Sequence, residues 1–495
     1  MQQNAPALRL NRRRLLALMP AAAGATLLLP GLARAAVAAD PVQALVDDFV
    51  ASGKAPGGSV AVIRDGSTHF YNAGVISRTT NAPATEHAVH EIGSISKTFT
   101  SLLLAHAIEE GRARIDDDVR RHLPPGYDNL VRDGRPIRLA DLVTTTSALQ
   151  DNLPDWSGFF GKVPPEQLLV EVSKLLKSYD PANFLTDLKT VTLLDVPGRT
   201  PRHSNTASQL QGVLAERIYG APYDALLTRF VEKPLGMRAG GGAVPPGLLV
   251  TGYSSKGVEA PTLDMPAIRA AGGLRYSAVD MARYVAAHIS AGDPAIARTH
   301  RPLFGTPETR AVGFHWVIAK TADSQTYLRH SGGTFGQSSY CDFYPARRYG
   351  AVVLANSAAA QDTSQALADA IHTALFGPPL GLKALEAALE RSNYADVPGT
   401  IAATRARFPD LHLTEDRMNN WGYRLLGTSP RAARGIFAWN AAQFPDSWNT
   451  HDSLAEAIAA TGDKAGAIAE YRRSLALNPA NDNATQMIAK LEKAP

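Results

Sequence analysis

The sequence predicts an α+β fold: an antiparallel sheet flanked by helices, an inserted helical portion, and an all-α repeat tail at the C-terminal end. Three observations carry this reading. Strand-like runs cluster near residues 59–71 and again over 313–356, helical spacing fills much of the interval, and two C-terminal segments match at an offset of 34 residues.

Residues 42–50 have the pattern of a short helix. Residues 59–63 and 68–71 flank Asp65-Gly66, a pair that favours the positive φ values of a two-residue hairpin turn. Ser94 opens a helix whose apolar face holds Ile95, Phe99, Leu102, Leu103 and Ile108 and which stops at Gly111. From about 112 to 270, helical segments alternate with Pro- and Gly-rich loops, and Pro234-Leu235-Gly236-Met237 ends a helix that starts near Pro222. Ser277 and Asp280 form a capping box before Met281, Tyr284, Val285, His288 and Ile289 at helical spacing. Strand signals return at 313–319, 326–329, 338–343 and 349–356. Pro378-Pro379 marks a boundary near 380. Beyond it, Ala433 matches Ala467, Phe437 matches Tyr471 and Pro445 matches Pro479. That period resembles tetratricopeptide repeats, and so few helix pairs need another surface to pack on.

The formal charge of +4 belongs to the first 35 residues. Arg9, Arg12, Arg13, Arg14 and Arg34 lie there with no acid, so removing them leaves −1. Asn11-Arg12-Arg13-Arg14-Leu15-Leu16 reads as a twin-arginine export signal, with Ala33-Arg34-Ala35 as a small-x-small cleavage site. Pro20 and Pro30 and the short apolar length argue against a membrane span. The expected organisation is an export signal over 1–35, a hydrolase domain over 40–380 and a helical tetratricopeptide-like domain over 381–495. The expected location is periplasmic or secreted, with no membrane span after cleavage. Once the leader's charge is set aside, nothing calls for a nucleic-acid partner. Cys341 is the only cysteine and excludes an internal disulfide; its apolar surroundings suggest a small buried hydrophobe. No Cys-based zinc site, His-Glu-x-x-His or Gly-x-Ser-x-Gly occurs, so no metal or cofactor is expected.

The chemistry centres on Glu91-Ile92-Gly93-Ser94-Ile95-Ser96-Lys97, which sets a hydroxyl and an amine three residues apart on one helical face. A serine hydroxyl needs a base to take its proton, and an amine with a desolvated, lowered pKa can be that base. Four further segments follow in order: His203-Ser204-Asn205, Pro234-Leu235-Gly236-Met237, Ala271-Gly272-Gly273-Leu274-Arg275-Tyr276-Ser277 and His330-Ser331-Gly332-Gly333. As a set, over roughly residues 40–380, the chain resembles the class C β-lactamase and penicillin-binding serine hydrolase family. That family also contains D-Ala-D-Ala carboxypeptidases, D-aminopeptidases and carboxylesterases.

The resemblance implies that Ser94 is the acylated nucleophile and Lys97 its proton partner. Asn205 takes the polar position of the second motif, which also suits a helix cap. His330, Ser331 and Gly332 take the place of Lys-Thr-Gly or His-x-Gly on a sheet-edge strand that aligns substrate. The amides of Ser94 and Gly333 form the oxyanion hole. His203 departs from the family's Tyr; an imidazole titrates near neutrality, so it is expected to work with Lys97, with activity rising between roughly pH 6 and 7.5. Thr144-Thr145-Thr146-Ser147-Ala148-Leu149 departs from His-Thr-Ser-Gly-Leu, and the Gln150-Asp151-Asn152-Leu153-Pro154 that follows leans toward the carboxypeptidase branch. The expected activity is an exported serine hydrolase working through an acyl-enzyme on a β-lactam, a D-Ala-D-Ala or other peptidoglycan peptide, or a small ester or amide. The alternative is a catalytically weak binding protein whose repeat tail recruits a peptide or protein partner.

Overall fold

A computed structural model describes residues 40–263 and 268–493. The export signal expected over 1–35 lies outside the described residues. Asp40 caps helix α1 (Pro41–Ala51) by accepting from the Val42 amide at 2.8 Å. Strands β1 (Gly57–Arg64) and β2 (Ser67–Gly74) form the expected hairpin, with Asp65 and Gly66 at φ of 51° and 84°. Strand β3 (Val89–Glu91) leads to helix α2 (Ser96–Glu109), and Gly111 beyond it takes φ 70°. The inserted helical portion includes α3 (Asn205–Tyr219), which packs on α2. Strand β4 (Arg275–Ser277) pairs with β3 and runs into α4 (Ala278–Ser290) through the expected Ser277–Asp280 capping box.

Strands β5 (Phe304–Thr306), β6 (Arg310–Gly313), β7 (Trp316–Lys320), β8 (Thr326–Gly333), β9 (Ser338–Tyr344) and β10 (Tyr349–Ala355) complete an antiparallel sheet of order β2-β1-β10-β9-β8-β7-β6-β5. The single strand expected over 313–319 is two strands. Phe314 and His315 form a tight turn between β6 and β7, with φ of 49° and 67°. Apolar residues on both arms of the turn, with no Gly or Asn at its centre, read as one continuous run.

Alternation along the strands builds two cores. On one face Ile63, Leu328, Cys341, Phe343, Val352 and Leu354 pack with Phe99 of α2 and Tyr284 of α4. Burial pushes the Cys341 thiol pKa up, which makes it an inert core residue. On the other face Val60, Val62, Tyr340 and Val353 meet α1 and helix α5 (Gln361–Phe376). The register decides where a substrate can lie. β8 pairs with β9 as far as Gly333 but with β7 only over Thr326–Arg329. His330 to Gly333 therefore present an open strand edge toward the helical portion.

After Pro378-Pro379 the described chain is helical, from Leu380–Arg391 to Asp482–Lys493. Ala433, Phe437, Ala467 and Tyr471 share one buried cluster. The tail docks on the sheet's hairpin ends. Ser324 donates to the Asp410 carbonyl at 2.7 Å, and His412 donates to the carbonyls of Ala322 and Glu308 at 2.9 and 2.8 Å. Among the described residues no helix is long and apolar enough to cross a membrane.

Asp342, on the α5 face of β9, is fully buried, and neither carboxylate oxygen has a hydrogen bond of good geometry. Burial and the nearby Asp369 raise its pKa to about 8, offset in part by the Ala351 amide and the Arg329 guanidinium. In the unfolded chain it ionises near the usual carboxylate value, so stability is greatest below that value and is lost as pH rises toward 8. Asp342→Asn removes this loss. Its melting temperature should gain on wild type by roughly 2–4 °C between pH 5 and pH 9. Thermal denaturation at the two pH values checks this, and a constant difference would exclude it.

Candidate active site

Ser94 sits in a short 3₁₀ turn, Gly93–Ile95, that leads directly into α2. Two glycines bring this turn onto the sheet. A Cβ on Gly332 would lie 2.1 Å from the Ile92 carbonyl oxygen and 2.9 Å from the Ser94 amide nitrogen. A Cβ on Gly93, whose φ is +50°, would lie 2.6 Å from the Gly333 nitrogen. Backbone therefore meets backbone, and the Ile92 carbonyl is fixed there by the Ser339 hydroxyl at 2.7 Å.

Lys97 is one residue into α2, only 2% exposed. Its Nζ lies 2.7 Å from Ser94 Oγ, 2.8 Å from Asn205 Oδ1 and 2.7 Å from the Ala271 carbonyl. Each acceptor is held from behind. Thr100 donates to the Ala270 carbonyl at 2.7 Å and the Leu274 amide donates to Ser96 Oγ at 3.2 Å, clamping the Ala271–Leu274 loop onto α2. Asn205 Nδ2 donates to Asn152 Oδ1 at 2.8 Å, which turns its oxygen toward the amine. The cap of α3 is Ser204, whose hydroxyl accepts from the Ala207 amide. Asn205 is thus free of capping.

Burial lowers the Lys97 pKa to about 7, against the opposing pull of the Asp151 carboxylate. A neutral amine has two N–H groups and one lone pair. Asn205 Oδ1 and the Ala271 carbonyl can only accept, so they take the two N–H groups and the lone pair is left for the Ser94 proton.

The histidines lie around this centre in different states. His203, on the segment before α3, bonds through Nδ1 to Asp151 Oδ1 at 2.7 Å rather than to Ser94 or Lys97. Its side chain is 59% exposed. Against the desolvation that burial brings, the bond from His203 helps to keep the Asp151 pKa low. His330 donates from Nδ1 to the Ser331 carbonyl at 2.7 Å. Burial, and then the Lys97 charge, push its pKa down to about 3, so it stays neutral where a lysine would be cationic.

Ser94, Lys97, His203, His330 and Ser331 line one cavity of about 750 Å³, large enough for a drug-sized ligand. Its lining carries Arg202, Arg310 and Arg329 besides Lys97, and no carboxylate. Asn205 reaches the site through Lys97 rather than as a cavity wall. Asp151, His315 and Arg310 went unmarked as functional positions in the sequence. Asp151 is 52 residues from the imidazole it pairs with, and His315 is in the turn that read as strand.

The family model described as Beta-lactamase matches residues 42–376. The chain belongs to the beta-lactamase family. It is 25% identical over 363 residues to a beta-lactamase of Pseudomonas fluorescens, covering 64% of this chain and 92% of that one. A beta-lactamase of Lysobacter lactamgenus is 25% identical over 384 residues, with 69% and 93% covered. Among solved structures, a class C beta-lactamase superposes with a TM-score of 0.58 at 23% identity, covering 68% of this chain and 97% of its own. A D-alanine carboxypeptidase from Burkholderia cenocepacia gives 0.56 at 21% identity, covering 68% and 98%.

Membership in the beta-lactamase family makes the protein a serine hydrolase of the β-lactamase and DD-carboxypeptidase type, and the antiparallel sheet with flanking helices is the expected fold. In this beta-lactamase fold, the contact of Gly332 with Ile92 and Ser94 admits no side chain. Gly332→Ala should lower stability by about 3 kcal/mol or more, because rigid backbone must move. Gly333→Ala should cost far less, since its Cβ would meet only the end of the Gln361 side chain. Denaturant unfolding of the two variants tests the contrast, and equal losses would refute it.

Proposed function

We propose that this serine hydrolase forms an acyl-enzyme on Ser94 with carboxylate-bearing substrates, β-lactams or peptides ending in a D-amino acid. The observation that carries the reading is the bonding of Lys97, whose two fixed acceptors direct its lone pair at the Ser94 hydroxyl. Lys97 Nζ takes the proton as Ser94 Oγ attacks the carbonyl carbon, and the carbonyl electrons move onto oxygen. The Ser94 and Gly333 amides, held close by the glycine contacts, receive that oxyanion. Collapse breaks the C–N bond, and the leaving nitrogen takes up a proton.

For deacylation, Asp151 fixes the His203 proton on Nδ1 and leaves Nε2 as the base for a water. The open edge of β8 from His330 to Gly333 offers main-chain groups to a substrate amide, and the acid-free, arginine-bearing cavity suits an anion. The reading includes export through the twin-arginine leader to the periplasm or beyond. It places the hydrolase boundary near 380, with the repeat-like tail bracing the hairpins at Glu308 and Ala322.

A fluorescent penicillin should label the wild-type protein covalently, and Ser94→Ala should abolish the label. Label that persists in Ser94→Ala would reject the nucleophile. The labelling rate should fall about tenfold per pH unit well below 7, because protonated Lys97 cannot act as base. Asp151 raises the Lys97 pKa, so Asp151→Asn should move the inflection to lower pH. A flat profile, or a shift the other way, would rule out Lys97 as the titrating base.

A further inference from the structure

The turn between β6 and β7 places two non-glycine residues, Phe314 and His315, in the left-handed region. Two-residue hairpins with both φ values positive favour Asn and Gly there, so a bulky pair is strained and needs a reason. His315 is 3% exposed, and its backbone is anchored by its own amide on the Val143 carbonyl at 2.8 Å. Its ring reaches the catalytic cavity.

The hydrogen bonds fix which nitrogen carries the proton. Gln211 Oε1 accepts from the Ser101 hydroxyl at 2.9 Å, so Gln211 Nε2 is the donor end of the amide. That nitrogen donates to the Leu142 carbonyl at 3.2 Å and to His315 Nε2 at 2.9 Å. His315 Nε2 is therefore a lone pair, and the proton resides on Nδ1. Burial first, and then the neighbouring His330, Lys97 and His203 groups, hold the ring's pKa well below the usual imidazole value. Among the described residues Nδ1 has no partner. Arg202 and Arg310, which line the same cavity, likewise have no side-chain hydrogen bond or ion pair among the described residues.

We propose that His315 is a substrate-positioning residue whose Nδ1–H donates a hydrogen bond to a carboxylate oxygen of the bound substrate, and that the strained turn exists to present it. This rests on the acyl-enzyme reading above. It adds a neutral, tautomer-locked donor to the recognition of the anion, where His330 offers no charge.

The test compares acylation of the full chain by a fluorescent penicillin, which bears a carboxylate, with turnover of p-nitrophenyl acetate, which bears none. Both Gly and Asn suit the turn's positive φ. Asn also carries an amide N–H near the position of Nδ1–H. His315→Gly should lower the second-order rate of penicillin acylation at least tenfold, and the fall for p-nitrophenyl acetate should be less than one third of that. His315→Asn should restore the penicillin rate to within about threefold of wild type. His315→Ala gives a second loss variant, and melting temperatures verify folding. An unchanged penicillin rate in the loss variants, an Asn variant as slow as Gly, or equal falls for both substrates would overturn the proposal. Absence of any Ser94 label in the wild type would instead sink the acyl-enzyme reading, and this inference with it.

Discussion

The site depends on one constraint: an amine buried against two groups that can only accept. Asn205 Oδ1 is committed to that role because its amide nitrogen is spent on Asn152, and the Ala271 carbonyl has no alternative. The third contact, to Ser94, therefore changes polarity with the charge on Lys97. As an ammonium it donates to Ser94 Oγ; as an amine it receives the hydroxyl proton. Desolvation brings that change to about pH 7, within reach of ordinary conditions. A lysine in water, near 10.4, would leave Ser94 without a base.

Holding three partners around one nitrogen requires segments far apart in sequence to converge without side chains between them. Gly93 and Gly332 permit this on the sheet side, where the Gly332 backbone meets that of Ile92 and Ser94 and the Gly93 backbone meets that of Gly333. On the helical side, Thr100 and Ser96 of α2 clamp the Ala271 loop, so the helix that carries Lys97 also positions one of its acceptors. The early end of β7 then exposes the edge of β8 next to the nucleophile. Register, glycine placement and amine chemistry act as one unit. A shift of β8 by one residue would turn His330 to the α5 face.

Much of this was legible in the sequence wherever the signal is local. Asp65-Gly66 specifies its turn through backbone preference, Ser277 and Asp280 specify their helix start through reciprocal caps, and Ser94 and Lys97 share a face through helical geometry. Ala433 and Ala467, and Phe437 and Tyr471, matched by their 34-residue offset, lie in one buried cluster. Signals failed where tertiary packing overrides local preference. Nothing in Gly313-Phe314-His315-Trp316 indicates a left-handed pair, since neither residue favours it and both neighbours read as strand. Ser204, not Asn205, caps α3, and two adjacent cap-forming residues cannot be told apart until the helix start is seen. Asp151 acquires its role only when the chain folds it against His203.

The three imidazoles show how charge is apportioned around the amine. His330 and His315 are buried and neutral, so neither adds a fixed cation beside Lys97, and the low pKa of the amine comes from desolvation. Fixed positive charge in the cavity lining sits on Arg202, Arg310 and Arg329, whose guanidinium groups remain charged at any working pH. A fixed cation next to Lys97 would push the pKa of the amine lower still. The amine's low pKa then comes from burial, against the opposing pull of Asp151. The chemistry of the base then rests on the dryness of its niche, and that dryness rests on the same glycine and loop contacts that bring the strand edge to Ser94.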